Sequence, residues 1–327
     1  MTNVRDFFKA IFIIGCLILF FSCMKKPDSV YSKIPFTKAL ATKQDTSKVD
    51  IYVIQGNHGK DFNNFLKTNK IQEMQFIDDK MIIGEGYSID YKKLDYHLNQ
   101  TFPNPNATGI CYIDIEDPYI NALSEADPNS KEFKRSLDLF VTSIKYCKSK
   151  RPNVKWGHYG MPRTTFEDPK VLPSNKYLGP IYEASDILFP SVYLFKDDQA
   201  VNYQVNFDYL QENIIEALKI GQQYKKPVAA FIMHRFYNAS DKRLQFLQMT
   251  DEYWKRYINS VLRIKYGNKR LDGIVWWGSD PFYFNSKEDG GNLRKEFRGN
   301  AEDFKKFNDK ELINKGNILI KTVVNKK

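Results

Sequence analysis

The sequence predicts an α/β fold, a (β/α) barrel of the triosephosphate-isomerase (TIM) type, seven-stranded or distorted, and three observations predict it. Short β-rich runs alternate with longer segments of helical period, the order expected of parallel strands joined by helices. With 42% apolar and 15% aromatic residues, the 327-residue chain can bury one large core. No glycine-rich phosphate loop and no internal repeat is present, which counts against the main alternative, a doubly wound open sheet.

The N-terminus stands apart from that pattern. Arg5 and Lys9 precede an unbroken apolar run over residues 10–21, too short to span a bilayer comfortably, so residues 1–22 read as a signal peptide. Phe20-Phe21-Ser22-Cys23 resembles a bacterial lipobox, with Phe20 in place of the usual leucine, and makes Cys23 the expected site of lipidation. The alternative is an uncleaved signal anchor. Residues 23–48 have the Lys, Ser, Thr, Asp and Pro composition of a tether. The folded part is therefore expected outside the cytoplasm, on a membrane-anchored lipoprotein in the periplasm or at the cell surface.

Removing residues 1–22 takes away Arg5, Lys9 and Asp6, a net +1, and reduces the formal charge from +10 to +9. That balance suits an acidic polymer or an anionic surface, and equally a lysine-rich solvated exterior. Nothing resembles a nucleic-acid module. Cys111 and Cys147 fall in strand and helix patterns without metal-ligand spacing, so two buried free thiols are expected. His58, His97, His158 and His234 are scattered, and neither a metal site nor a cofactor is expected.

The barrel is expected over residues 49–310. Its strand candidates are residues 50–55, 81–84, 109–115, 154–159, 187–193, 227–233 and 273–278. Between them, Phe133, Leu137, Phe140, Val141 and Ile144 share one helical face, Phe207, Leu210, Ile214 and Leu218 another, and Tyr253, Tyr257, Val261 and Ile264 a third. Residues 311–327 are expected as a C-terminal tail, an added strand or a docking segment.

In Ile113-Asp114-Ile115-Glu116 apolar and acidic residues alternate at the strand period, which turns both carboxyls to one face. They end their strand ahead of Asp117-Pro118, and in a parallel barrel the C-terminal strand ends host the chemistry. Two adjacent carboxyls repel when ionised, so one should hold its proton to higher pH, as the acid of a glycosidase must. An isolated Asp-x-Glu is more often structural, and the rest of the chain has to decide.

Four stretches, in order, resemble the hyaluronidase family, glycoside hydrolase family 56. The acidic strand is the first. Trp156-Gly157-His158-Tyr159-Gly160-Met161-Pro162 is similar to the family's Trp-Gly-x-Tyr-Gly-x-Pro, Pro190-Ser191-Val192-Tyr193 to its Pro-Ser-[Val/Ile]-Tyr, and Gly273-Ile274-Val275-Trp276-Trp277-Gly278-Ser279 to its Gly-x-x-x-Trp-Gly-Ser. The resemblance implies that Glu116 is the proton donor and later the base, and that Asp114 orients the substrate's acetamido group, which is itself the nucleophile. It further implies that Tyr159 and Tyr193 surround that group, that Trp277 floors the sugar, and that Ser191 lines the pocket. Trp276, on the opposite strand face, is expected in the core. Two departures border the groove: Asp117-Pro118 replaces a Trp-Arg-Pro type of continuation, and Arg163-Thr164-Thr165-Phe166 replaces a cysteine-bearing stretch whose disulfide pins the next loop.

The expected activity is an endo-acting N-acetylhexosaminidase that hydrolyses a hyaluronan- or chondroitin-like polysaccharide with retention. The alternatives are a muramidase-like hydrolase of peptidoglycan and a non-catalytic glycan-binding lipoprotein.

Overall fold

In the computed structural model, residues 49–324 are described apart from 55, 57, 238–240, 279, 288 and 289. The expected signal peptide, tether and lipidation at Cys23 lie outside the described residues. Strands and helices alternate from the start. The order is β1 (Asp50–Ile54), α1 (Lys60–Thr68), β2 (Gln72–Asp78), α2 (Tyr91–Thr101), β3 (Gly109–Asp114), α3 (Tyr119–Glu125), α4 (Lys131–Lys150), β4 (Val154–His158), α5 (Gly179–Ala184) and α6 (Tyr203–Gln223). Then follow β5 (Ala229–Met233), α7 (Asp251–Arg263), β6 (Gly273–Trp277), α8 (Asp280–Phe284), α9 (Gly291–Glu296) and α10 (Ala301–Val324). Polar caps start several helices: the side chains of Asp90, Ser130, Asn202 and Thr250 accept from the first turns of α2, α4, α6 and α7.

All six strands run parallel, in the order β4-β3-β2-β1-β6-β5. Residues 187–192 close the ring between its two ends. On one side Asp186 N–H donates to Trp156 O at 2.7 Å and Phe189 N–H to Met161 O at 2.7 Å; on the other, Leu188 N–H reaches Pro227 O at 2.9 Å and Val192 N–H reaches Phe231 O at 3.0 Å. The donor between those last two would belong to Pro190, which has no N–H, so this segment pairs by isolated bridges rather than as a continuous strand. The TIM-type barrel expected from the sequence is thus present with seven segments around the ring.

One strand differs from expectation. The second is Gln72–Asp78, not residues 81–84. Met81 lies in a 3-10 turn, Asp79–Met81, and Ile83 forms only an isolated bridge with Ile89. The apolar Met81-Ile82-Ile83 run mimics a strand, whereas β2 opens on exposed Gln72 and Glu73. Asp78 ends β2 by accepting Met81 N–H at 3.1 Å.

Strand alternation separates two apolar layers. Ile54, Met74, Ile110, Tyr112, Phe189, Phe231 and Val275 fill the barrel interior. Val53, Ile77, Cys111, Ile113, Trp156 and Trp276 face outward onto Phe62, Phe140, Ile144, Trp254 and Leu312 of the helices. Gly157 is required by this packing, because a Cβ there would lie 2.2 Å from Ile187 O and 2.7 Å from the Phe189 ring.

The boundary expected at residue 310 falls inside one continuous helix, α10, which packs on α1 and α7. The described part of the expected tail is therefore neither a strand nor a separate segment. Gly59, which begins α1, has no side chain to cap it, and Asp309 of α10 takes that role: its carboxylate accepts from Gly59 N–H (2.9 Å), Asp61 N–H (3.0 Å) and Phe62 N–H (3.1 Å). Lys315 docks the next turns by donating to Met249 O at 2.7 Å and Asp251 Oδ1 at 2.6 Å. Gly316 lets the helix approach, since a Cβ would lie 2.6 Å from the Phe65 ring. Asp309→Ala should strip the cap and lower the unfolding free energy by about 1–3 kcal/mol, read as a lower urea midpoint. An unchanged midpoint would show that the contact holds nothing together.

Candidate active site

Strand β3 positions the acids. Ile110, Tyr112 and Asp114 point into the barrel, while Cys111, Ile113 and Ile115 point out toward the helices. Asp114 ends the strand and Glu116 follows two residues later. The Glu116 carbonyl accepts from Tyr119 N–H at 3.0 Å and Ile120 N–H at 3.1 Å, so α3 begins at once and fixes the backbone that carries the second acid. The intervening Asp117–Pro118 bond is cis.

The two carboxyls sit in different surroundings. Asp114 is partly buried, and its Oδ1, shielded from solvent, meets no hydrogen-bonding partner among the described residues. Burial first, then the charges of Glu116, Asp78 and Asp79, hold its pKa well above the usual carboxylate range. Glu116 keeps an exposed surface at the mouth of the barrel, yet the surrounding protein still raises its pKa, with Asp79 and Asp117 adding to the effect and Lys80 opposing it. Asp78 pairs with Asp114 in the β2–β3 register. It was hidden from sequence reasoning because β2 was expected elsewhere.

Aromatic side chains wall the space above the acids. Tyr159 follows β4, donates its N–H to Ile113 O at 3.0 Å, and lies with its hydroxyl 3.2 Å from Ser191 Oγ. Its ring centre is 6.2 Å from Tyr193 and 5.0 Å from Phe231. Burial pushes both the Tyr159 and Tyr193 phenols well above their ordinary pKa, which keeps them neutral hydrogen-bond donors. Trp277, at the end of β6, is half-buried, and its Nε1 has no partner among the described residues. The structure therefore brings together Asp114, Tyr159, Ser191 and Tyr193, and places Glu116 and Trp277 at the same C-terminal face.

Sequence reasoning missed Tyr283, whose ring centre is 6.4 Å from Trp277 and which stacks on Phe246 at 3.9 Å. After burial and Tyr237, the charges that raise its phenol pKa include Tyr159, Glu116 and Asp114. Tyr237, 5.6 Å from the Tyr193 ring, also belongs to this wall. Both follow barrel strands, and that position is the signal that could have found them.

The floor rests on a buried polar chain. Trp276 points outward, as expected, and its Nε1–H donates to His234 Nδ1 at 3.1 Å, which leaves His234 Nε2–H to donate to Asp280 Oδ2 at 3.1 Å. Arg235 Nε donates to the same oxygen at 2.8 Å and its Nη1 to Glu296 at 2.9 Å. Burial disfavours charge on both Arg235 and Asp280, and their mutual contact outweighs it, raising the arginine and lowering the aspartate. This clamp fixes the first residue of α8, the helix that carries Tyr283. His158 is structural: it faces outward with Nε2 2.8 Å from Phe140 O, and burial lowers its pKa to about 4. Cys111 and Cys147 are buried and unpaired.

The loop after β4 has its own fastening. Asn175 Oδ1 accepts Arg163 N–H at 2.9 Å while its Nδ2 donates to Arg163 O at 3.0 Å, and Asn213 makes the same pair of contacts with Thr165, both at 2.8 Å. Thr164 Oγ1 donates to Ser191 O at 2.6 Å. Two side-chain amides and one hydroxyl thus hold three consecutive residues where the resemblance led to the expectation of a missing disulfide.

A family model described as hyaluronidase matches residues 107–299, more than half of the chain. The chain belongs to the hyaluronidase family. Among curated members, a hyaluronidase of Tabanus yao is 25% identical over 240 residues, which cover 62% of this chain and 65% of that protein. A hyaluronidase of Polybia paulista is 32% identical over 163 residues, 46% of this chain and 52% of that one, and a chondroitin hydrolase of Caenorhabditis elegans is 25% identical over 164 residues, 39% and 36%. The matches thus span less than two thirds of these relatives' length. The fold is similar to bee venom hyaluronidase, with a TM-score of 0.57 at 15% identity over 79% of this chain and all of that one.

Asp114 titrates higher in the folded family member than in an unfolded chain, so stability present below the ordinary carboxylate pKa is lost as pH rises through the elevated value. Asp114→Asn should remove that loss. Thermal midpoints followed from about pH 4 to 9 should show the variant gaining on the wild type toward the alkaline end; parallel curves would contradict the assigned burial.

Proposed function

We propose that the protein hydrolyses an N-acetylated glycosaminoglycan, hyaluronan or chondroitin, by a retaining, substrate-assisted mechanism. The observation that carries this reading is the partly buried Asp114, whose Oδ1 has no partner among the described residues, beside Glu116 and under a wall of neutral phenols. Family membership supports it, as does the likeness to a bee venom hyaluronidase in complex with a hyaluronic acid tetramer (TM-score 0.55, 14% identity).

In this reading Glu116, held protonated by its surroundings, gives its proton to the glycosidic oxygen as that bond breaks. The substrate's acetamido oxygen attacks the anomeric carbon, and an oxazoline-like intermediate forms. Asp114 holds the acetamido nitrogen, whose positive charge grows in the transition state. Tyr159, with Ser191 beside its hydroxyl, donates toward the polarised oxygen, while Tyr193 and Trp277 pack against the methyl and the sugar face. Glu116, now a carboxylate, takes a proton from the water that opens the intermediate, which restores both the acid and the acetamide.

The +9 charge left after removal of residues 1–22 favours recruitment of a polyanion. We also propose export and membrane attachment through lipidated Cys23. Cys23→Ser should move the protein from the membrane fraction to the soluble fraction.

Purified protein incubated with hyaluronan, chondroitin and peptidoglycan should release saturated reducing ends from the first two. Unsaturated products would replace hydrolysis with elimination, cleavage of peptidoglycan alone would favour the muramidase alternative, and binding without cleavage would favour a glycan-binding module. Glu116→Gln should slow hydrolysis by about a hundredfold to ten-thousandfold with binding largely kept. Unchanged turnover would remove Glu116 from its role.

A further inference from the structure

A polyanionic substrate must approach a centre already crowded with carboxylates. The charges of Asp78 and Asp79 bear on both Asp114 and Glu116, and that of Asp117 bears on Glu116, where Lys80 opposes them. Some fixed positive charge has to offset the approach of a uronic acid.

Arg163 has the geometry for it. Its backbone is held on both sides by Asn175, itself 2% exposed and hydrogen-bonded to Tyr182. Its Nε donates to Ser124 Oγ at 3.0 Å, which aims the guanidinium. The terminal nitrogens have no hydrogen-bond or ion-pair partner among the described residues, and Nη1 lies 3.7 Å from the position a Cβ would take on Gly160, next to Tyr159. Asp117, Glu125, Tyr159 and Tyr182 are within electrostatic reach, and none forms an ion pair with it. A positioned guanidinium with two free donors is the geometry that binds a carboxylate in bidentate fashion.

The surface beyond it continues the same charge. Ser124 also lines a cavity of about 360 Å³ that includes Lys170, Lys176 and Tyr177 and has no carboxylate in its lining. The rest of that lining is apolar or uncharged, so the two lysines are the charges an anionic chain would meet in the cavity.

We propose that Arg163 is the specificity-determining residue of this site and receives the carboxylate of a uronic acid next to the scissile bond. The proposal rests on the glycosaminoglycan reading above. It also assigns a purpose to the departure at residue 163, where the loop gives up a family feature and gains a cation.

The test compares hyaluronan with carboxyl-reduced hyaluronan, its neutral counterpart. Arg163→Gln should raise KM for hyaluronan by roughly tenfold to a hundredfold, with little change in kcat, and leave KM for the reduced polymer unchanged. Arg163→Lys should recover part of the loss, since it keeps the charge without the fork. Equal losses on both polymers, or none on either, would overturn the assignment in favour of a purely structural arginine. Should Arg163→Gln fail to fold, the wild type carries the test: it must prefer hyaluronan over the reduced polymer by a similar factor and lose that preference in high salt. A wild type that lacks the preference also overturns the proposal. A wild type that neither cuts nor binds either polymer sinks the glycosaminoglycan reading itself, a result distinct from a cut polymer with no role for Arg163.

Discussion

Strand β3 carries the main constraint on this molecule: it is an inner strand of the parallel sheet that forms the barrel wall, and it ends in a carboxyl group. It pairs with β2 and β4, so its alternation is fixed from both sides. Ile110 and Tyr112 fill the interior, and the next inward position is Asp114. An inward carboxyl above an apolar core resists ionisation, and the nearby Glu116, Asp78 and Asp79 increase that resistance. The same register that builds the core therefore tunes the acid. A slip of one residue would bury Ile113 toward the mouth and turn Asp114 into the helices.

Around that strand, precision comes from polar contacts rather than from larger apolar surfaces. Asn175 and Asn213 hold the loop that follows Tyr159, and the His234–Asp280–Arg235 chain holds the start of α8 after Trp277. Each is buried and each anchors backbone or side chains next to the aromatic wall. Groups of this kind cost free energy unless fully paired, and their use here places rigidity where an acetamido group would have to be gripped.

Much of this was legible in the sequence. Six of the seven ring segments followed from β-rich runs, and the acids followed from the alternation of Ile113, Asp114, Ile115 and Glu116. What failed did so for identifiable reasons. Strand β2 begins on Gln72 and Glu73, so an apolar run downstream looked more like a strand, and Asp78 was lost with it. Helix α10 buries Asn308, Asp309 and Lys315, which interrupt the apolar period and made its second half read as a tail. Tyr283 comes from a segment distant in sequence, and only the closed ring brings it near the acids, while Arg235 and Asp280 fasten the chain that carries it. The roles of Glu116, Asp114 and the aromatic residues came from the family resemblance, and family membership now supports that source without assigning the roles themselves.

The central claim is that Asp114 works through the substrate's own acetamido group. The most direct measurement compares the initial rates at which the protein cuts hyaluronan and the same polymer after N-deacetylation. If the acetamide is the nucleophile, the deacetylated bonds stay intact while hyaluronan is cut. Cleavage of both at comparable rates would contradict the account and return the nucleophile to the protein.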